Sequence, residues 1–360
     1  MLLARLLTPA RWTGAALAVA ALGAAGCQPM TAGADGGAPS GVTRSAAAGA
    51  SGAPSAGTVT AARTGSLLTE PAAGFSPVYR LINGASRSVD MTMYELSDTT
   101  AEHDLAAAAY RGVRVRVILD EREKSENSAA YHYLAARRVH VTWSSSRYEY
   151  THEKSLVIDH ATAVIMTANL TSRYYATSRD FVVIDSRRAD VDAIEKVFAA
   201  DFAHRAVRPG HGRDLVWSPG SQAQLLAVIN GAKSSLRIYS EEMGDAAVED
   251  ALLAAARRGV DVRVCGENTD GEYDSDFSRL TRGGVKISYY DSPDGFYIHG
   301  KVIEADYGTR HARVFIGSEN FSSTSLSRNR ELGLITSAHP VLASIARSFA
   351  ADFRHGKHWS

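Results

Sequence analysis

Little in this 360-residue sequence offers a way to cross-link the chain, span a membrane or grip a polyanion. There are two cysteines, Cys27 and Cys265, too few for a disulfide framework. Cys265 follows the apolar run Val260 to Val264 and reads as a small core residue. Excess positive charge is also missing, since 39 Lys and Arg stand against 39 Asp and Glu. Without residues 1–26, which carry Arg5, Arg11 and no acid, the balance becomes 37 basic to 39 acidic. That slight acidity argues against tight nonspecific nucleic-acid binding, which needs clustered cations to displace counterions. The apolar run Ala15 to Ala25 is too short and too rich in Ala and Gly for a comfortable membrane span. What is present, 45% hydrophobic and 22% charged residues, fits one large or two medium globular domains with a full-sized core.

The first 26 residues have the layout of an export signal: a charged start, a short apolar middle and small residues before Cys27. Ala24-Ala25-Gly26-Cys27 resembles a bacterial lipobox, which implies lipidation of Cys27 and anchoring at the outer face of the cell membrane. Ordinary cleavage and secretion is the alternative. Residues 27–65, rich in Gly, Ala, Ser and Thr, read as a flexible tether.

Beyond the tether the sequence repeats itself. His152-Glu-Lys154-Ser-Leu-Val-Ile-Asp159 returns as His299-Gly-Lys301-Val-Ile-Glu-Ala-Asp306, each a His-x-Lys-x4-Asp string, at an offset of 147. Ile82-Asn83-Gly84-Ala85 matches Ile229-Asn230-Gly231-Ala232, and Arg111-Gly112-Val113 matches Arg258-Gly259-Val260, at the same offset. Further on, Asn169 pairs with Asn320 and Asp180 with Glu331 at an offset of 151, which four extra residues in a Tyr307 to Arg313 hairpin explain. The boundaries expected are 66–210 for the first repeat and 211–360 for the second.

Each repeat alternates strands and helices. In the first, helices are expected around Pro77 to Asn83, Leu105 to Tyr110 and Ser128 to Arg137, with strands at Ser88 to Glu95, Val113 to Leu119 and Val139 to Trp143. Further strands are expected at Lys154 to Asp159, Thr162 to Thr167 and Phe181 to Ile184. The second repeat follows the same order, and Val191 to Phe202 and Val341 to Phe353 read as closing helices. This alternation predicts an α/β fold, two sandwich repeats related by a pseudo-twofold axis, each with a mixed sheet flanked by helices.

On a strand, residues i and i+2 share a face, so His152 with Lys154 and His299 with Lys301 are expected to point together. Asp159 and Asp306, seven positions past the histidines, have opposite parity and are expected to brace a turn or strand end. Two polar clusters, Thr167-Ala168-Asn169 and Ser318-Glu319-Asn320, offer hydroxyl and amide donors for a phosphate, with a nearby acid to hold a histidine in one tautomer. Two histidines meeting at one ligand suit covalent catalysis: a neutral one attacks phosphorus, and a protonated one serves the leaving oxygen. Two lysines and two amides suit the charge on the phosphoryl oxygens. A lysine beside each histidine disfavours a metal reading, and no cofactor is expected.

Taken together, these residues resemble the phospholipase D superfamily over roughly Ser66 to Phe353. The resemblance implies a phosphohistidine intermediate, with His152 as nucleophile and His299 as general acid. It implies Lys154, Lys301, Asn169 and Asn320 as phosphate-binding residues, with Thr167 and Ser318 beside them, and Asp180 and Glu331 as the acids that orient the histidines. Thr167 stands where serine is commoner, and Asp180 is shorter than the usual glutamate. The function expected is hydrolysis or transphosphatidylation of phospholipids by a monomer, since the duplication supplies both halves of a site. An extracellular nuclease of the same chemistry and a non-catalytic phosphate-binding surface module are the alternatives. Glu95 and Glu242 are equivalent positions at the ends of the first strands that either touch the site or cap a turn. The remaining histidines have no partner positions and read as surface residues.

Overall fold

The computed structural model describes residues 66–292 and 295–360. The expected signal peptide, Cys27 and the tether lie outside the described residues. In the first repeat the order is β1 (Ser66–Thr69), α1 (Ser76–Gly84), β2 (Ser88–Met93), α2 (Thr99–Tyr110), β3 (Arg114–Leu119), α3 (Lys124–Ala135), β4 (His140–Trp143), β5 (Ser155–Ile158), β6 (Thr162–Met166), β7 (Ser178–Arg179), β8 (Phe181–Asp185) and α4 (Arg188–Phe202). The second repeat runs β9 (Leu215–Ser218), α5 (Gln222–Gly231), β10 (Ser235–Ser240), α6 (Ala246–Arg257), β11 (Asp261–Glu267), α7 (Asp274–Arg282), β12 (Lys286–Tyr290), β13 (Tyr297–Ile298), β14 (Val302–Ala305), β15 (Arg313–Gly317), α8 (Ser323–Ser327), β16 (Glu331–Thr336), α9 (His339–His355) and β17 (Lys357–His358).

The two sheets are ordered alike. The first is β1-β8-β6-β5-β2-β3-β4; the second is β9-β16-β15-β14-β10-β11-β12 with β17 added at the edge. In each, the first three helix-linked strands pair in parallel and the rest antiparallel, giving the mixed sheet expected from the sequence. β2 is buried along its whole length although Ser88, Asp90 and Thr92 alternate with Val89, Met91 and Met93, and β3 alternates at its start and turns fully apolar and buried at Val117–Leu119. The connection 306–312 between β14 and β15 is longer than its counterpart 159–161, which accounts for the change of offset.

Alternation along the strands divides the core. Leu156 and Ile158 of β5 and Val164 and Met166 of β6 face α1, α2 and α3, whereas Val157 and Ile165 face a core shared with the second sheet. That shared core takes Phe181, Tyr239, Val302, Val314 and Ile316 together with residues of α4 and α9. Both repeats are therefore welded through their inner sheet faces.

Three features depart from the sequence reading. The edge strands β1 and β9 and the short pair β7 and β13 were not expected. The motif strands begin at Ser155 and Val302, so His152, Lys154, His299 and Lys301 lie in the segments leading into strands rather than on them. The period-two argument thus does not apply to them. Instead each lysine folds back, Nζ donating to the carbonyl of its own motif histidine at 2.6 Å in both copies.

Candidate active site

The site forms where the repeats cross. Residues Tyr297 and Ile298 of β13 pair in parallel with Ser178 and Arg179 of β7. The pseudo-twofold mate of the second of these pairs is a single bridge between Thr151 and Arg330. The residue after each bridged position is a motif histidine or an orienting acid, so His299 is set beside Asp180 and His152 beside Glu331. His152 Nδ1 donates to Glu331 Oε2 at 2.9 Å, and His299 Nδ1 donates to Asp180 Oδ1 at 2.8 Å. Each acid serves the histidine of the other repeat. Because Nδ1 is committed in both rings, Nε2 is the nitrogen left for chemistry.

The acids are themselves held. Ser318 Oγ donates to Glu331 Oε2 at 2.7 Å, while Ser325 and Asn329 donate to Oε1 at 2.8 and 3.0 Å. Thr167 Oγ1 donates to Asp180 Oδ1 at 2.6 Å. Both hydroxyl residues are fully buried. Their only protons go to the carboxylates, so Thr167 and Ser318 fix the acids rather than contact a substrate, a correction to the place the sequence reading gave them. Burial pushes the Glu331 carboxyl up, but His152, Lys154 and Ser318 outweigh it and leave it below the usual range.

The two histidines have different surroundings. Burial, aided by Lys154 and Lys301 against the pull of Glu331, lowers His152 to about 4, so its ring is neutral at neutral pH. Lys154, also buried, is lowered to about 7. His299 has a carboxylate at each nitrogen: Asp180 at Nδ1 and Glu241 Oε1 at 3.5 Å from Nε2.

Asn169 and Asn320 each give one amide N–H to a glutamate, Asn169 to Glu95 Oε2 at 3.3 Å and Asn320 to Glu242 Oε1 at 2.9 Å. Glu95 and Glu242 thus orient the amides, whose second N–H has no acceptor among the described residues. Burial and the charge of Glu241 raise Glu242 to about 7. Asp159 and Asp306 are elsewhere, bonded to the backbone of residues 86–88 and 233–235 at the starts of β2 and β10.

Three site features escaped the sequence reading. Asp120 and Glu267, at the ends of β3 and β11, accept the N–H groups of Thr151 and Ile298 at 2.5 and 3.0 Å and so anchor the residue before each histidine. They keep the offset of 147, a signal that was available. Arg179 and Arg330, one residue before the acids, form ion pairs with Asp352 and Asp201 from the closing helices, again at an offset of 151. Tyr94 and Glu241 are equivalent in position but differ in kind, and a search for matching residues passes over such a pair.

The sequence matches the family described as "Cardiolipin synthase, PLD-like domain" twice, over residues 78–202 and 225–353. The chain belongs to this family and, with it, to the phospholipase D superfamily. No curated protein matches it. Among solved structures, the phosphatidylserine synthase of Haemophilus influenzae Rd KW20 superposes with a TM-score of 0.65 at 12% identity, covering 82% of this chain and 87% of that one. A polyphosphate kinase from Porphyromonas gingivalis gives 0.63 at 15% identity over 81% of this chain, which spans about half (51%) of the kinase. At these identities the likeness is one of fold. The family and the site define a phospholipase D-like protein in which two histidines, His152 and His299, are each hydrogen-bonded to an acid of the opposite repeat.

Proposed function

We propose that the protein is a phospholipase D-type phosphodiesterase that hydrolyses phospholipids, or transfers their phosphatidyl group, through a phosphohistidine. The observation that carries this reading is the crossed pair of histidine–acid bonds, which leaves two Nε2 atoms of unlike character in one centre. His152 Nε2, neutral, attacks phosphorus; the N–P bond forms as the bond to the head-group oxygen breaks, and His299 gives that oxygen its proton. Water or an alcohol then loses a proton to His299 and attacks phosphorus, breaking the N–P bond and freeing His152. Lys154, Lys301 and the amides of Asn169 and Asn320 stabilise the equatorial oxygens. Near-neutral net charge supports a lipid over a polyanion. Membrane attachment through a lipid on Cys27 is part of the same proposal, and a Cys27→Ser chain is expected in the medium rather than at the cell surface.

The experiment uses the mature protein with phosphatidylcholine, phosphatidylglycerol and single-stranded DNA, with chelator present, beside His152→Ala. Head-group release that disappears in the variant supports the reading. DNA cleavage without lipid turnover assigns a nuclease instead, and the absence of any phosphoenzyme assigns a binding module.

A further inference from the structure

The two halves of the centre differ most in chemistry at the residue that follows β2 in one and β10 in the other. Where β2 ends, the first repeat has Tyr94, whose ring packs edge-on against His152 at 4.6 Å and lies 4.8 Å from Lys154 Nζ. Its hydroxyl donates to Glu123 at 2.8 Å, and Lys154 makes no ion pair among the described residues. The equivalent position after β10 holds Glu241. Its Oε2 is 2.5 Å from Lys301 Nζ, and its Oε1 lies 3.5 Å from His299 Nε2 while accepting the Tyr297 hydroxyl at 2.8 Å. One carboxylate therefore engages both groups of the second half-site that a phosphoryl group needs, the lysine cation and the ring nitrogen left free by Asp180.

We propose that Glu241 is a specificity-determining residue: in the free protein its carboxylate takes the place of two phosphoryl oxygens, and a substrate binds by exchanging its phosphate for that carboxylate. This rests on the phosphodiesterase reading for its meaning, though not for its test. The exchange discriminates by charge. A phosphodiester brings one negative charge into the neighbourhood of Glu241, whereas a phosphomonoester or inorganic phosphate brings up to two and meets twice the repulsion in a site of low dielectric. Hydrolysis turns the first kind of anion into the second, so the carboxylate's return to Lys301 competes the product out. A plain structural role, in which Glu241 only neutralises the fully buried Lys301, makes the opposite prediction: removing the carboxylate leaves a damaged site that binds anions no better.

The test is calorimetric titration of the full chain with inorganic phosphate, which needs no turnover, in the wild type, Glu241→Gln and Glu241→Asp. Glu241→Gln is expected to bind phosphate at least about 10-fold more tightly. Glu241→Asp, which keeps a charge for Lys301 but draws it back by one methylene, is expected to fall between. If Glu241→Gln does not fold, the aspartate variant decides alone: tighter phosphate binding supports the exchange, and equal or weaker binding overturns it. With both variants folded, wild-type or weaker affinity in both overturns it as well. Tight phosphate binding by Glu241→Gln in a protein that releases no head group sinks the enzymatic reading while leaving the exchange standing, so the two failures are distinguishable.

Discussion

His152 and Glu331 are 179 residues apart in the chain and joined by a 2.9 Å hydrogen bond. With the reciprocal bond from His299 to Asp180, it means that neither repeat holds a complete histidine: each ring takes its orientation from the other half. Glu331→Gln keeps the shape but lets the amide present a donor to Nδ1, favouring the wrong tautomer for attack through Nε2. The expected result is a fall in kcat of roughly 100- to 10,000-fold, the range that general acid–base catalysis contributes, the upper end matching the loss when a triad histidine's orienting acid becomes an amide, with KM little changed. Steady-state kinetics and trapping of the phosphoenzyme check this. A kcat within a few-fold of wild type removes Glu331 from the proposed mechanism.

The lowered values of His152 and Lys154 set a pH window. A nucleophile must be unprotonated, so the His152 contribution is lost as pH falls through about 4 and is complete above it. Lys154 must stay charged to hold a phosphoryl oxygen, so its contribution fades as pH rises through about 7. The profile of kcat/KM is expected to plateau between these limits, and Lys154→Arg, whose cation does not titrate in this range, is expected to flatten the alkaline limb even as it lowers the plateau. An alkaline limb unmoved in that variant assigns the limb to another group.

Arg330 is one of the largest fully buried side chains, paired with Asp201 at 2.8 and 3.2 Å, hydrogen-bonded to the Tyr148 hydroxyl and stacked near Trp217. It ties α4 of the first repeat to β16 of the second, one residue before Glu331. Arg330→Met strands Asp201 without a partner and is expected to cost about 3–5 kcal/mol in urea unfolding. Adding Asp201→Leu removes the stranded charge and is expected to restore most of that loss. A double variant as unstable as the single one shows that packing, not the buried charge, dominates.

Much of this architecture is legible in the residues because duplication prints each constraint twice. The alternating strands at 114–119 and 261–267 and the paired motifs at His152 and His299 are visible as repeated patterns, and so is the insertion in the β14–β15 connection. The exchange of acids between repeats is not, since a period says which positions correspond but not which halves meet. Thr167 and Ser318 look like ligand donors in sequence because nothing there shows that Asp180 and Glu331 lie closer to them than any substrate. Glu241 is invisible for a different reason: symmetry singles out what is equal, and its chemistry comes from being unlike Tyr94.

Asp306 carries fold rather than chemistry. It sits at a φ of 56°, and its carboxylate accepts the N–H groups of Lys233, Ser234 and Ser235 and the Ser234 hydroxyl at 2.7–3.2 Å, stitching the turn before β10 to the end of β14. Burial pushes its carboxyl up, but those backbone donors outweigh it and hold it below the ordinary value. A carboxyl depressed in the folded state contributes stability that is present above the unfolded value, about 3.9, and lost as pH falls through the folded one. Asp306→Ala removes the acceptors and places an alanine in the left-handed region, with an expected loss of about 2–4 kcal/mol. Asp306→Asn tolerates that backbone and retains one acceptor oxygen, so it is expected to lose less. Both variants are expected to show a shallower drop in stability on acidification, measured by urea unfolding at pH values from neutral to acid, and unchanged kcat per folded molecule. A kcat that falls with the carboxylate while the fold persists would place Asp306 in the chemistry after all.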